Sequence, residues 1–181
     1  MADGIHNSAV SSQSNNGESA GSGRLGAISI STRRGIPKAN RNEARLIENW
    51  GMEGDVHAGD WHRQISILAM ESVQKMRDKG VPVRPGAFAE NLTTEFIDIP
   101  NLTIGTRVTV GESELEITQI GKECHAKCAI FYQAGDCVMP REGIFAIVKK
   151  GGVIKVGDTV VIHTPKPDVP HNQSASNEVA I

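Results

Sequence analysis

The chain has 181 residues, of which 39% are hydrophobic, and its formal net charge is -2 at pH 7. This length is enough for one domain with its own hydrophobic core, and the near-neutral charge excludes the concentrated basic face of a nucleic-acid-binding protein. No apolar run approaches the roughly 18 residues of a membrane span, so neither nucleic acid nor a membrane is an expected partner.

The two ends of the chain differ from its middle in composition. Residues 1–24 are rich in Ser, Asn, Gly and Ala, and residues 165–181 contain three prolines and few large apolar side chains. Such segments bury too little apolar surface to offset the entropy of ordering. We therefore expect two disordered tails around one domain at 25–164. Because the start does not resemble a signal peptide and three cysteines cannot all pair, we expect a cytoplasmic protein with free thiols.

Between the tails, short apolar and β-branched stretches predict strands. In chain order they are 25–32, 65–70, a hairpin across 102–120, 143–148 and 158–163. Helical periodicity is clear over 70–79, with Gly80 as the stop, and weak over 42–49. Many short strands with one or two short helices predict a mainly β domain that closes like a barrel, because closure removes exposed strand edges.

A group of cations follows the first predicted strand. Its members are Arg33, Arg34, Lys38, Arg41 and Arg45, opposed only by Glu43. The group is interpreted either as a solvated loop or as a docking site for a small phosphorylated ligand, since guanidinium groups bind phosphate with paired hydrogen bonds.

Residues 53–64, EGDVHAGDWHRQ, form a polar segment before the next predicted strand. Its glycines would let the backbone approach a ligand closely, and Arg63 could clamp an oxyanion. Asp55, His57 and His62 are also metal-ligand types. A ligand-binding loop, a metal site and an ordinary turn-rich loop are the alternatives.

A second polar segment, residues 85–94, predicts a turn leading into a short strand that carries Glu90 and Asn91. Adjacent side chains on a strand face opposite sides. One of the two could therefore face a cavity while the other orders the turn.

All three cysteines, Cys124, Cys128 and Cys137, lie within residues 121–148. The first two stand among cations, namely Lys122, His125 and Lys127. Converging cations favour the thiolate, which could carry a persulfide or bind a soft metal such as molybdenum. The alternatives are a structural zinc site and cysteines packed as small hydrophobic residues, which suits Cys137 best.

Taken in this order, the motifs resemble the MOSC domain. They are EGDVHAG at 53–59, RQIS at 63–66, PGAFAENLTT at 85–94, the cysteine segment at 124–128, MP and GIFA at 139–146, and the closing GG and GD at 151–158. The resemblance covers roughly residues 25–164. MOSC domains resemble the C-terminal part of molybdenum cofactor sulfurases.

The resemblance implies a β-barrel that handles a molybdopterin-type cofactor or sulfur destined for one. In the family, a cysteine of this segment is proposed to carry sulfane sulfur or to ligate molybdenum. Larger relatives have a Cys-x-x-Cys whose second cysteine precedes an Ile- or Val-rich strand. Cys128, followed by Ala129 and Ile130, matches that second position, although its spacing from Cys124 departs from the pattern. Cys124 is the alternative or resolving thiol.

The resemblance also implies roles for the surrounding residues. Cys128 would hold the persulfide or the molybdenum. The cations that would stabilise its thiolate are Lys122, His125 and Lys127. Arg63, with help from Arg33 or Arg34, would bind the phosphate of the anionic pterin cofactor. His57 and Asn91 would line the pocket and orient the ligand.

The chain lacks the pyridoxal-phosphate domain of full-length sulfurases, so pyridoxal phosphate is not expected. Sulfur would come from a separate donor such as a cysteine desulfurase. Two alternative functions are a molybdenum-dependent reductase of N-hydroxylated small molecules, which would need an electron-donating partner, and a non-catalytic cofactor-binding module with a structural cysteine cluster.

Overall fold

The computed structural model describes residues 19–122, 124 and 126–163. Within these ranges the chain forms eleven strands and three helices. The strands are β1 (Ser19–Ile30), β2 (Ala39–Arg41), β3 (Glu43–Ile47), β4 (Gly51–Met52), β5 (Ile65–Ala69), β6 (Leu92–Glu95), β7 (Arg107–Val110), β8 (Ser113–Ile120), β9 (Ile144–Lys150), β10 (Gly152–Lys155) and β11 (Thr159–His163). The helices are α1 (Met70–Asp78), α2 (Ala129–Ala134) and α3 (Met139–Glu142).

Seven of the strands close into a barrel, which confirms the predicted mainly β architecture. Their order is β11, β7, β8, β9, β5, β6 and β1, and antiparallel pairing of β1 with β11 closes the ring. β2 extends the sheet from β1. β5 and β6 run parallel and are joined through α1. Closure gives every barrel strand a partner on both sides, which protects its backbone groups from pairing with other chains.

The first strand begins at Ser19, well before the predicted domain boundary at Leu25. Its early part pairs with β11 from Ser19 to Arg24, so these residues belong to the barrel rather than to a tail. Small residues are required there because a Cβ at Gly23 would collide with the backbone of Glu95. Composition alone could not separate this close packing from disorder. Residues 1–18 of the tail predicted at 1–24, and the whole tail predicted at 165–181, lie outside the described residues.

A smaller sheet, in the order β10, β3 and β4, packs beside the barrel. Its central strand occupies the residues for which a weak helix was predicted at 42–49, and that prediction was wrong. Leu46 is buried and Ala44 is half-buried, whereas Glu43, Arg45 and Ile47 are exposed. This alternation has the period of a strand rather than of a helix.

The predicted hairpin across 102–120 is confirmed, with Val110 paired to Ser113 at its turn. Its first strand is shorter than predicted and starts at Arg107, because the preceding residues turn through Gly105 at a positive φ of 87°. Val108 and Val110 point into the core, as the period-two pattern indicated.

The helix predicted at 70–79 is confirmed as α1, which buries Val73 and Met76. It stops before Gly80, whose φ is 82°, a conformation that glycine adopts without strain. Helices α2 and α3 were not predicted, because their six and four residues, respectively, are too few to show a 3.6-residue period. Within the described residues, no helix has the length and apolar character needed to cross a bilayer.

Two hydrophobic clusters hold the fold together. The first fills the barrel and includes the fully buried Leu25, Ile65 and Leu115. The second packs α1 against the outside of the barrel and also contains residues near the cysteines: Phe88, Cys137, Val138, Met139 and Phe145. Burying one such side chain contributes about 1.5–3 kcal/mol. The second cluster therefore anchors the chain on either side of the predicted sulfur site.

Candidate active site

Two adjoining cavities lie where the predicted site residues converge. The cysteine cavity has a volume of about 890 Å³ and contains Cys124, Cys128 and Cys137 in its wall. The arginine cavity has a volume of about 500 Å³ and contains Arg34 and His57. Arg63 and Lys122 line both cavities, so the two cavities adjoin at these residues.

The three cysteines are free thiols with different exposure. Cys124 and Cys128 are exposed, whereas Cys137 is buried with 7% of its surface accessible. Burial raises the pKa of the Cys137 thiol, and the two neighbouring cysteines act in the same direction. Since the thiolate is the nucleophile and the metal ligand, Cys137 is held in its unreactive form. Cys124 and Cys128 are the accessible sulfur atoms.

The cysteine cavity also contains two of the cations predicted to stabilise a thiolate, Lys122 and Lys127. The Lys127 ammonium lies 4.4 Å from the centroid of the Phe131 ring, a cation–π contact that keeps the charge in the cavity wall. The backbone N–H of Lys122 donates to the Met139 carbonyl at 3.0 Å, which ties the cysteine segment to α3. His125 lies outside the described residues, and its role stays a prediction.

Arg63 is held between two aromatic rings at the junction of the cavities. Its guanidinium carbon lies 4.8 Å from the Trp61 ring centroid and 5.5 Å from that of Phe145. Trp61 is fixed in turn, because its Nε1 donates to the His57 carbonyl at 2.8 Å. Within the described ranges Arg63 makes no ion pair, and its buried Nε has no hydrogen-bond partner. Because Arg63 lines both cavities, an anion at this junction would compensate the charge of its guanidinium group.

The other predicted anion-binding residues are only partly brought together. Arg34 and His57 line the arginine cavity, where Asp60 supplies an opposing carboxylate. Arg33 is exposed and lines neither cavity. Of the two alternatives for assisting Arg63, the structure therefore places Arg34 in the cavity wall, and its role in binding stays a prediction.

Asn91 was expected to line the pocket, and the structure corrects this. Its side chain is 1% exposed and lies in neither cavity. Its Oδ1 accepts hydrogen bonds from the backbone N–H and hydroxyl of Ser66, at 3.2 and 2.9 Å, and its Nδ2 donates to the Ser29 carbonyl at 3.3 Å. With its polar atoms in use, Asn91 joins β1 to β5 and has no group left for a ligand.

The neighbouring Glu90 orders the turn before β6. Its carboxylate accepts backbone hydrogen bonds from Gly86 at 2.6 Å and from Phe88 at 3.0 Å. Burial raises the pKa of this carboxyl group, and these hydrogen bonds oppose the shift. Glu90 is therefore a structural residue of the turn.

A buried ion pair that the sequence did not reveal lies behind the arginine cavity. Lys38 Nζ contacts the two Asp55 carboxylate oxygens at 2.7 and 2.6 Å. Burial acts to raise the pKa of Asp55, but hydrogen bonds from His57 and Lys38 bring it well below its ordinary value. Burial lowers the pKa of Lys38, against the opposing effect of Asp55. The motif at 53–59 already marks Asp55, whereas Lys38 is indistinguishable in sequence from the exposed arginines around it.

The metal interpretation of the 53–64 segment is not supported. Asp55 is paired with Lys38, and His62 lies in the cysteine cavity, where its Nε2 is 3.0 Å from Gln119 Oε1. Across residues 19–122, 124 and 126–163, no three His, Cys, Asp or Glu side chains converge on a point that could hold a metal ion.

Comparison with solved structures places this barrel among known folds. The YuaD protein from Bacillus subtilis superposes with a TM-score of 0.68 at 17% identity, covering 80% of this chain and 97% of that one. YiiM from Escherichia coli gives a TM-score of 0.56 at 19% identity, covering 80% and 72%. YiiM from Geobacillus stearothermophilus gives 0.57 at 19% identity, covering 78% and 75%. These similarities show a shared fold.

No curated protein matches the chain in sequence at a significant level. The family model described as the MOSC domain matches residues 53–161, more than half of the chain. The matched region runs from the 53–59 motif through the cysteine segment to β11 and so contains most of both cavity walls. The chain belongs to the MOSC domain family.

Proposed function

We propose that this MOSC protein handles a molybdenum cofactor, or sulfur destined for it, with the reactive sulfur on Cys128. The observation that carries the proposal is the shared wall of the two cavities. Exposed thiols lie on one side of Arg63 and Lys122, and a cationic cavity lies on the other. One ligand with a soft, sulfur-binding end and an anionic end would use both.

The donor groups fit a molybdenum cofactor. A thiolate is a suitable ligand for a soft metal or carrier for sulfane sulfur. Arg63 and Arg34 can bind a phosphate with paired hydrogen bonds, and Arg63 is already oriented by Trp61 and Phe145. When bound, the cofactor would supply the molybdenum at which atom transfer takes place.

In the sulfur-carrying reaction, the Cys128 thiolate attacks the terminal sulfur of a persulfide on a separate donor. The sulfur–sulfur bond of the donor breaks, the donor leaves as a thiolate, and Cys128 holds the persulfide. No other oxidant or reductant is needed, because the transferred sulfur keeps its oxidation state. Lys122 and Lys127 line the cavity in which these anions meet.

The test is the intact mass of the protein before and after incubation with a persulfide donor, for the native chain and for three single variants. We expect the native chain and Cys137→Ser to gain one sulfur that a reductant removes, and Cys128→Ser to gain none. A full gain in Cys128→Ser that is lost in Cys124→Ser would move the reactive sulfur to Cys124. No gain in the native chain would contradict sulfur carriage.

A further inference from the structure

The imidazole of His57 lies beside the buried carboxylate of Asp55. Its Nδ1 is buried and lies 3.4 Å from Oδ1 of Asp55, and the backbone N–H of His57 donates to the same oxygen at 3.0 Å. At 3.4 Å, Nδ1 and Oδ1 are in close contact without a formed hydrogen bond. No hydrogen-bond partner for Nδ1 is found among the described residues, so closure onto this carboxylate would satisfy the atom.

The carboxylate of Asp55 is itself held in place by hydrogen bonds. Besides His57, it accepts hydrogen bonds from Lys38 Nζ at 2.7 and 2.6 Å and from the backbone N–H of Ser31 at 3.0 Å. Its side chain and that of Lys38 are 0% and 1% exposed. A carboxylate held by so many donors remains an acceptor. The nitrogen facing it must therefore carry the proton, which leaves Nε2 of neutral His57 without one.

The opposite edge of the ring faces the arginine cavity. The His57 side chain is 30% exposed and lines that cavity. Within the described part of the chain Nε2 makes no hydrogen bond, and it is not among the buried side-chain atoms that lack a partner. The cavity thus combines cations, which attract an anion, with a nitrogen lone pair, which attracts a proton.

We infer that His57 Nε2 is a hydrogen-bond acceptor in the arginine cavity and selects anions that carry an acidic hydrogen. Asp55 and Lys38 are its positioning residues. The ligand class is a hydrogen phosphate or phosphate monoester that donates its O–H to Nε2 while Arg63 and Arg34 bind its other oxygens. A site built to accept a hydrogen bond discriminates against an analogue without the hydrogen, because its acceptor is then left unpaired. The inference rests on the proposed function in one respect, that an anion occupies this cavity.

Phosphate and sulfate provide the test. At a pH where phosphate is the dianion, the two anions have the same shape and charge, but only phosphate carries a hydrogen. Titration calorimetry at that pH should show the native chain binding phosphate roughly tenfold more tightly than sulfate, as one hydrogen bond would give. His57→Asn keeps an N–H near Asp55 and removes the cavity-facing nitrogen. It should bind both anions about equally. His163→Asn, on β11 and in the wall of neither cavity, should keep the preference.

Two further measurements test whether His57 is the acceptor. The Asp60 carboxylate also lines this cavity and could accept the hydrogen bond instead. A phosphate preference that is retained in His57→Asn and lost in Asp60→Asn overturns the inference. A long-range proton–nitrogen NMR spectrum of the native chain, which needs no variant, should show the proton of His57 on Nδ1, and the opposite tautomer overturns the inference. Equal binding of both anions by the native chain overturns this inference alone. Binding of neither overturns the anionic half of the proposed function as well.

Discussion

The Nζ atom of Lys38 lies 2.6 Å from Oδ2 of Asp55, and both side chains are almost completely buried. Removing one partner of such a pair leaves an uncompensated charge in the protein interior, which typically costs about 3–5 kcal/mol. We expect Lys38→Met to lower the free energy of unfolding by about that amount at pH 7. Urea denaturation would measure it. Lys75→Met, which removes an exposed contact with Glu142, should cost about 1 kcal/mol or less.

The same pair predicts how stability changes with pH. Since the pKa of Asp55 is lower in the folded chain than its ordinary value of 3.8, its contribution is fully present above that value and is lost as the pH falls below it. In Lys38→Met the buried carboxylate has lost its partner, so acid relieves its penalty by protonating it. The stability difference between the native chain and Lys38→Met should therefore shrink on acidification. A difference that grows below pH 4 would contradict this account of the pair.

The stacked guanidinium of Arg63 predicts that lysine cannot replace it. An ammonium lacks the flat face that packs against Trp61 and Phe145 and cannot form two parallel hydrogen bonds to one anion. We expect Arg63→Lys to weaken phosphate binding roughly tenfold, about 1.4 kcal/mol, with little change in melting temperature. Arg107→Lys is the matched control because Arg107 pairs with Glu114 and Glu116 and lines neither cavity. Equal losses in both variants would contradict a specific role for Arg63.

The different exposure of the three thiols predicts their order of reaction with an alkylating reagent. Cys124 and Cys128 are exposed, whereas Cys137 is buried and its thiol pKa is raised by that burial. Peptide mapping of the native protein at neutral pH should show modification of Cys124 and Cys128 first, with Cys137 reacting only after denaturant is added. If Cys137 reacted as fast as the other two cysteines, its thiol would be accessible from the cavity, which would contradict its burial.

Gly121, which precedes the cysteine segment, is required by its surroundings. Its φ is 77°, and a Cβ there would collide with the Pro140 carbonyl. We expect Gly121→Ala to lower the free energy of unfolding by about 2–3 kcal/mol, combining backbone strain with the clash. Gly135 has a similar φ of 71°, but no described atom lies within 4 Å of the Cβ position. Gly135→Ala should cost only about 1 kcal/mol, and equal losses would argue against the clash.

The sequence predicted the elements whose apolar residues repeat clearly, such as α1 and the hairpin of β7 and β8. It misassigned β3, because five residues with one fully buried side chain carry a weak period. It also placed Ser19–Arg24 in a tail, because small residues that permit close strand packing look like those of a disordered segment.

For the site, the resemblance to the MOSC domain implied that Cys128, Lys122 and Arg63 belong together, and they line one cavity. It could not show that the Asn91 side chain forms hydrogen bonds with Ser66 and Ser29, or that Lys38 is buried against Asp55. Both depend on contacts between residues distant in sequence, which no local pattern records.

If one cofactor occupies both cavities, residues of both cavities should be needed to retain it. We would therefore measure the molybdenum content per chain after purification from cells that make the cofactor. We expect molybdenum in the native chain and in Arg107→Gln, and its loss in both Cys128→Ser and Arg63→Gln. Molybdenum retained at the native level in Arg63→Gln, or absent from the native chain, would contradict this proposal.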